Sequence, residues 1–115
     1  MYQHTVKDRV VGIDISKLTT TYAIVDVKGN IIAKGELNTA DYPDVNDYVT
    51  VLSEQLILFM IENGGIESIR SVGISAPSGN FKTGCIENSP NMPWKGVVPL
   101  AAMLRDRLGL AVAVA

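Results

Sequence analysis

The stretch VGIDISKLTTTYAIVDVKGNIIAKGEL, Val11 to Leu37, decides the fold class. Three β-rich runs cross it: RVVGIDI (Arg9 to Ile15), TTYAIVDV (Thr20 to Val27) and IIAKGEL (Ile31 to Leu37). Branched and aromatic side chains favour extended backbone. The gaps between the runs are short, and Lys28-Gly29-Asn30 is a turn signal. Strands this close join most economically as a meander of antiparallel hairpins.

Beyond Leu37 the period changes. Tyr42-Pro43-Asp44 opens a helix, with Asp44 as its N-cap. Val45, Tyr48, Val49, Leu52, Leu56, Phe59 and Met60 follow at spacings of three and four, an amphipathic stripe that reads as core. Asn63-Gly64-Gly65 ends it, because glycine accepts the left-handed conformation of a helix C-terminus. IRSVGIS (Ile69 to Ser75) is a fourth, buried strand. Ala76 to Gly96 is rich in Gly, Pro, Asn and Ser and reads as a long loop or a small hairpin. Pro99 starts a second helix, Leu100, Met103, Leu104 and Leu108 line one side of it, and Gly109 stops it. Leu110 to Ala115 is a fifth strand. The order β-β-β-α-β-α-β predicts an α/β domain: a five-stranded mixed sheet with helices on its faces.

Composition excludes several classes. The 115 residues are 47% apolar, too rich in core-formers for a disordered chain. Ten basic residues face twelve acidic ones, a net charge of −2, which disfavours electrostatic binding of nucleic acid. The longest apolar runs, Leu56 to Ile61 and Leu110 to Ala115, are six residues each, against the roughly 20 that a membrane span needs. The N-terminus is polar, without the apolar run of a signal peptide. The single cysteine, Cys85, forms no intramolecular disulfide and points to a reducing compartment. A cytoplasmic protein is expected, with neither nucleic acid nor membrane as partner.

Two regions hold residues suited to chemistry. Asp14 ends the first strand and precedes Ser16-Lys17-Leu18-Thr19-Thr20-Thr21. A carboxylate beside hydroxyl-rich backbone suits a hydrated magnesium near phosphates. An ordinary hairpin with an Asp-capped turn explains the same residues, and spacing alone favours it. Ser75-Ala76-Pro77-Ser78-Gly79-Asn80 and Asn88-Ser89-Pro90-Asn91-Met92-Pro93-Trp94 display amides and hydroxyls on proline-stiffened backbone. Amides offer donor and acceptor together, which suits polyhydroxyl ligands. Trp94 either borders such a pocket or anchors the loop to the core. Residue types alone favour the anchor, with Asn and Ser satisfying the loop's own backbone. His4 has no clustered partner and reads as exposed and silent. Cys85 has no neighbouring His and reads as a half-buried structural residue.

Val11 to Leu37 together with GISAPSGNFKTGCIENSPNMPWKGVVPLAAMLRDRLGL, Gly73 to Leu110, resembles the N-terminal lobe of the ROK family (repressors, open reading frames and sugar kinases). That family lies in the actin/hexokinase/Hsp70-like superfamily. The second block looks like the family's bacterial glucokinases, with loops of the form G-I-x-A-P-x-G-N, P-N-x-P-W-K-G and P-L. The resemblance implies a ribonuclease-H-like, actin-like ATPase fold and ATP-dependent phosphorylation of a hexose, glucose above all. It implies ATP and Mg2+ as cofactors. Asp14, Lys17 and Thr19 would face phosphate and magnesium, while Ser78, Gly79, Asn80 and Asn91 would face the sugar. No resident metal site is implied within these residues.

This sequence departs from the family pattern in two places. The family's phosphate loop runs D-x-G-G-T. Here Ser16 and Lys17 take the glycine positions and Leu18 replaces the threonine. Glycines there let backbone amides approach phosphate, so nucleotide binding is expected to be weaker or differently arranged, with Lys17 offering compensating charge. The family's Asn-Asp pair, whose aspartate is the general base, would follow Ala115. Residues 1–115 are therefore expected to be a lobe cut short and inactive by itself. An apolar face left uncovered is expected to make it a homo-oligomer. A ROK transcriptional regulator and a non-catalytic sugar sensor are the alternatives. The regulator would carry a DNA-binding domain ahead of this lobe, and only a short polar stretch precedes the first strand here.

Overall fold

The computed structural model describes residues 6–115; His4 lies outside the described residues. The β-rich runs form β1 (Arg9–Ile15), β2 (Thr19–Asp26) and β3 (Ile31–Asn38). They are followed by α1 (Val45–Glu62), β4 (Ile69–Ser75), three short strands β5 (Gly79–Asn80), β6 (Cys85–Glu87) and β7 (Val97–Val98), then α2 (Leu100–Leu108) and β8 (Ala111–Val114). The main sheet has the order β3-β2-β1-β4-β8. β1, β2 and β3 pair antiparallel, whereas β1, β4 and β8 run parallel, so the sheet is mixed. The segment read as a loop or small hairpin carries a separate three-stranded sheet, β5-β6-β7.

Local chemistry sets the ends of the helices. The Asp44 carboxylate accepts the amides of Asn46 at 2.8 Å and Asp47 at 3.3 Å, satisfying two orphan donors of α1. At the other end the Gly65 amide donates to the Met60 carbonyl at 2.8 Å, with Gly64 and Gly65 both at positive φ. Gly109 closes α2 in the left-handed region, at φ 68°.

Strand alternation then divides the sheet. Val11, Ile13 and Ile15 of β1, Ile24 of β2, and Val72 and Ile74 of β4 point into a core with Leu52 and Leu56 of α1 and Leu104 of α2. Each fully buried leucine of that kind stabilises by about 1.5–3 kcal/mol. The two helices touch each other and this one core. They therefore cover one face of the sheet: the five-stranded mixed sheet with helices stands as expected, with its two helices in a single layer. Parity explains the other face. The intervening residues Gly12, Asp14, Thr21, Gly73, Ser75 and Ala113 are exposed.

The core contains one buried polar cluster. The Thr20 hydroxyl lies 2.8 Å from that of Thr39 and 2.6 Å from the Tyr48 phenol. Burial raises the Tyr48 phenol well above the ordinary tyrosine range, and the bond to Thr20 opposes this weakly. Trp94 is 4% exposed, its ring centroid lies 4.4 Å from that of Tyr48, and its indole N–H donates to the Tyr42 carbonyl at 3.0 Å. Of the two readings of Trp94, the anchor is the one observed.

Candidate functional site

The helix-free face of the sheet is a shallow concavity of about 960 Å³. Register builds its floor row by row. Gly12 of β1 pairs with Ala23 of β2 and Gly73 of β4, and Gly73 pairs with Ala113 of β8. Lys34 of β3 ends that row opposite Ala23. A Cβ added at Gly12 or Gly73 would meet nothing within 4 Å. The next row carries the polar groups: Ser75, Asp14, Thr21 and Glu36 lie side by side across β4, β1, β2 and β3. All four line the concavity. Asp14 and Ser75 end parallel strands, where chain direction changes and ligands of open α/β sheets characteristically bind. Among the described residues the Asp14 carboxylate accepts no hydrogen bond, which leaves its oxygens available. No three His, Cys, Asp or Glu among the described residues gather as a metal-ligand set.

The turn after Asp14 is closed by its own serine. The Ser16 amide and hydroxyl both donate to the Thr19 carbonyl at 2.9 Å, and the Thr19 amide donates back to the Ser16 hydroxyl at 3.2 Å. The Thr19 amide is thereby committed within the turn. Lys17 and Leu18 are exposed at its tip, Leu18 by 67%. Lys17 and Thr19 thus follow Asp14 closely in the chain but do not line the concavity.

A second, smaller concavity of about 680 Å³ adjoins the first. Ser78, Gly79, Asn80, Lys82 and Glu87 line it, and Phe81 borders both. The Gly79 amide donates to the Ala76 carbonyl at 3.1 Å, closing a turn with Pro77 second and Ser78 third. Ser78 stands at φ 58°, a conformation that β-turns of this kind usually give to glycine. Gly79 has a definite reason to lack a side chain, since a Cβ there would collide with the Ala115 carbonyl. That carbonyl also accepts the Ala76 amide at 3.2 Å. The ends of β4 and β8 and the start of this loop are thereby one junction.

The Asn80 side chain is already engaged. Its Oδ1 accepts the amides of Lys82 at 2.9 Å and Thr83 at 3.4 Å. Its Nδ2 donates to Glu87 Oε1 at 2.8 Å, and the Thr83 hydroxyl donates to Glu87 Oε2 at 3.4 Å. Ser78, Gly79 and Asn80 are thus brought together as the sequence suggested. Asn91 is not: it is exposed, its amide donates to the Ser89 hydroxyl at 3.3 Å, and it lines neither concavity. Glu87 and Glu36 were missed by residue-type reasoning, and Ser75, read there with the loop, stands instead in the strand row beside Asp14. Glu87 follows two residues after Cys85 in a short β-run, a weak signal that only the pairing of β5 with β6 makes meaningful. Cys85 is half-buried, as expected.

No family model matches this sequence, and no curated protein matches it. Solved structures do match in fold. A ROK family transcriptional regulator, a homologue of the E. coli MLC protein, superposes with a TM-score of 0.80 at 18% identity, over 96% of this chain and 28% of its own. The ROK hexokinase of Thermus thermophilus gives 0.77 at 21% identity, over 93% of this chain and 34% of its own. A ROK family glucokinase from Streptomyces griseus, crystallised with glucose and AMPPNP, gives 0.73 at 24% identity, over 92% and 32%. The chain therefore has the α/β fold of ROK and actin-like ATPase N-terminal domains. It spans about a third of the length of these structures.

Proposed function

We propose that this chain is the N-terminal lobe of a ROK-family sugar kinase. Its full-length form would transfer the γ-phosphoryl group of ATP to a hydroxyl of a hexose, glucose or a close relative. One observation carries the reading: an exposed carboxylate, Asp14, and a hydroxyl- and amide-bearing loop, Ser78 to Asn80, line adjoining concavities that share Phe81. Phosphoryl transfer needs that adjacency, since it works mainly by positioning and electrostatic stabilisation.

In this reading Ser78, Gly79 and Asn80 orient the sugar, while Asn91, which lines neither concavity, stands outside the group that reaches it. Asp14 faces the phosphate end, and Lys17 and Thr19 stand in the turn that follows it, outside the concavity. Magnesium fits this donor set as a mostly water- and phosphate-bound ion, because Asp14 and, two strands away, Glu36 do not make a cage. When bound it would screen phosphate charge. The general base is expected after Ala115. Residues 1–115 alone are accordingly expected to lack turnover. Cys85, a free thiol, is compatible with the cytoplasm. Exposed apolar side chains, Leu58 and Ile61 of α1 among them, support self-association of the chain, and a clean monomer by light scattering at high concentration would count against it.

The test is a coupled assay on the full-length polypeptide with glucose, mannose and ATP. Hexose- and ATP-dependent ADP formation is expected, and its absence sinks the reading. A regulator is the second reading, because the transcriptional regulator superposes at least as well as the kinases do. Sequence-specific DNA binding by the full-length polypeptide, without turnover, would favour it. The Ser16-closed turn motivates a third, a sugar sensor without nucleotide. Saturable MgATP binding by the full-length polypeptide would remove that option.

A further inference from the structure

Glu87 is the one carboxylate that lines the smaller concavity, and both of its oxygens hold the loop together. The backbone frame around it is slight. β5 contributes only two pairs, Gly79 with Ile86 and Asn80 with Cys85, and the Glu87 amide donates to the Ser78 carbonyl at 3.0 Å. Side chains do the rest. Asn80 Nδ2 reaches across the hairpin to Oε1, while the Thr83 hydroxyl reaches Oε2 and accepts the Cys85 amide at 3.2 Å. Hydrogen bonds to an ionised acceptor are the stronger kind. Among the described residues no cation pairs with Glu87; the recorded ion pair is Arg105 with Asp106.

We propose that Glu87 is the positioning residue of the sugar loop. Its carboxylate fixes the Asn80 amide in one orientation. It thereby sets the place of Ser78, which is held at positive φ between Pro77 and Gly79. With each oxygen receiving one donor, the carboxylate keeps acceptor capacity for hydroxyls entering the concavity. The inference rests on the sugar-binding reading above and adds to it the residue that orders the loop.

The test uses the full-length polypeptide with two readouts, hexose binding by calorimetry and steady-state phosphorylation. Glu87→Ala is expected to weaken glucose binding, and to raise its KM, about tenfold, as loss of a charge-assisted hydrogen bond would, with the KM for ATP unchanged. Glu87→Gln keeps an acceptor for Asn80 and is expected to stay within about threefold of the parent. Asn80→Ala is expected to match Glu87→Ala, and the double variant to be no worse than either, because the pair acts as one unit. Equal glucose affinity in Glu87→Ala and the parent overturns the proposal. So does full additivity with Asn80→Ala, or a Gln variant as damaged as the Ala variant. If Glu87→Ala fails to fold, the Gln variant and Asn80→Ala still decide. Turnover with an unmoved glucose KM defeats this inference alone. Glucose binding that depends on Glu87, without turnover, defeats the kinase reading alone. No hexose binding at all defeats both.

Discussion

The two faces of the main sheet are made from the same five strands and have opposite chemistry. One carries Val11, Ile13, Ile15, Ile24, Val72 and Ile74, sealed under α1 and α2. The other carries Gly12, Gly73, Ala23 and Ala113, with Asp14, Thr21, Ser75 and Glu36 in the next row. Large side chains fill the first face because close packing rewards volume there. The second face has room to spare, since a methyl at Gly12 or Gly73 would touch nothing. Glycine inside a strand costs stability and often marks the close approach of a ligand or another backbone. The contrast teaches that one face of this domain is packed for folding while the other is left open.

Variants on the two faces can break that contrast. The largest effect is expected on the sealed face. Leu56→Ala removes a fully buried side chain and should cost about 2–5 kcal/mol in urea unfolding. A loss below about 1 kcal/mol would mean the helical layer is not the folding core. Next comes the polar row of the bare face. Asp14→Asn should shift stability by no more than about 0.5 kcal/mol. In the full-length polypeptide it should lower turnover about a hundredfold. A variant that unfolds instead would show Asp14 to be structural.

A smaller effect is expected where the sealed face meets the loops. Tyr48→Phe removes the phenol bonded to Thr20 and should cost about 1 kcal/mol at neutral pH. Burial holds the Tyr48 phenol protonated in the folded state. The unfolded chain releases that proton near pH 10. Above that pH the folded state binds more protons, so stability falls as pH rises. Tyr48→Phe should flatten this alkaline decline, and an unchanged slope between about pH 9 and 11 would contradict the assignment. The smallest change should be of opposite sign. Gly12→Ala and Gly73→Ala are each expected to leave the chain as stable or to stabilise it by about 0.5–1 kcal/mol, because they reduce unfolded-state entropy. Destabilisation beyond about 1 kcal/mol, by thermal unfolding, would show the bare face to be packed after all.

The elements themselves were legible in the sequence because their signals are local. Period-two runs of branched residues gave β1 to β4 and β8, and the stripe from Val45 to Met60 gave α1, capped by Asp44 as its side chain suggested. Ser78, Gly79 and Asn80 were legible as a group because they are consecutive. Glu87 was not. Its role depends on β5 folding back onto β6 so that residues seven apart meet. Asn91 shares the residue type of Asn80, but the chain between them turns it to solvent away from both concavities. Trp94 illustrates the same limit. Its partners Tyr42 and Tyr48 lie more than forty residues away, and only their packing selects the anchor over the pocket wall.

By itself, the sequence determined the number, kind and order of the main elements, since hydrophobic period and turn chemistry act over a few residues. It also determined which strand face is bulky and which is bare, because alternation is a property of the strand alone. Only the tertiary structure decided that both helices share the bulky face and that Asp14, Ser75, Thr21 and Glu36 stand in one row. Only it decided that Ser78, Asn80 and Glu87 form one concavity beside that row. Those outcomes depend on register between strands far apart in the chain. Register is set by the burial of whole faces rather than by any local signal.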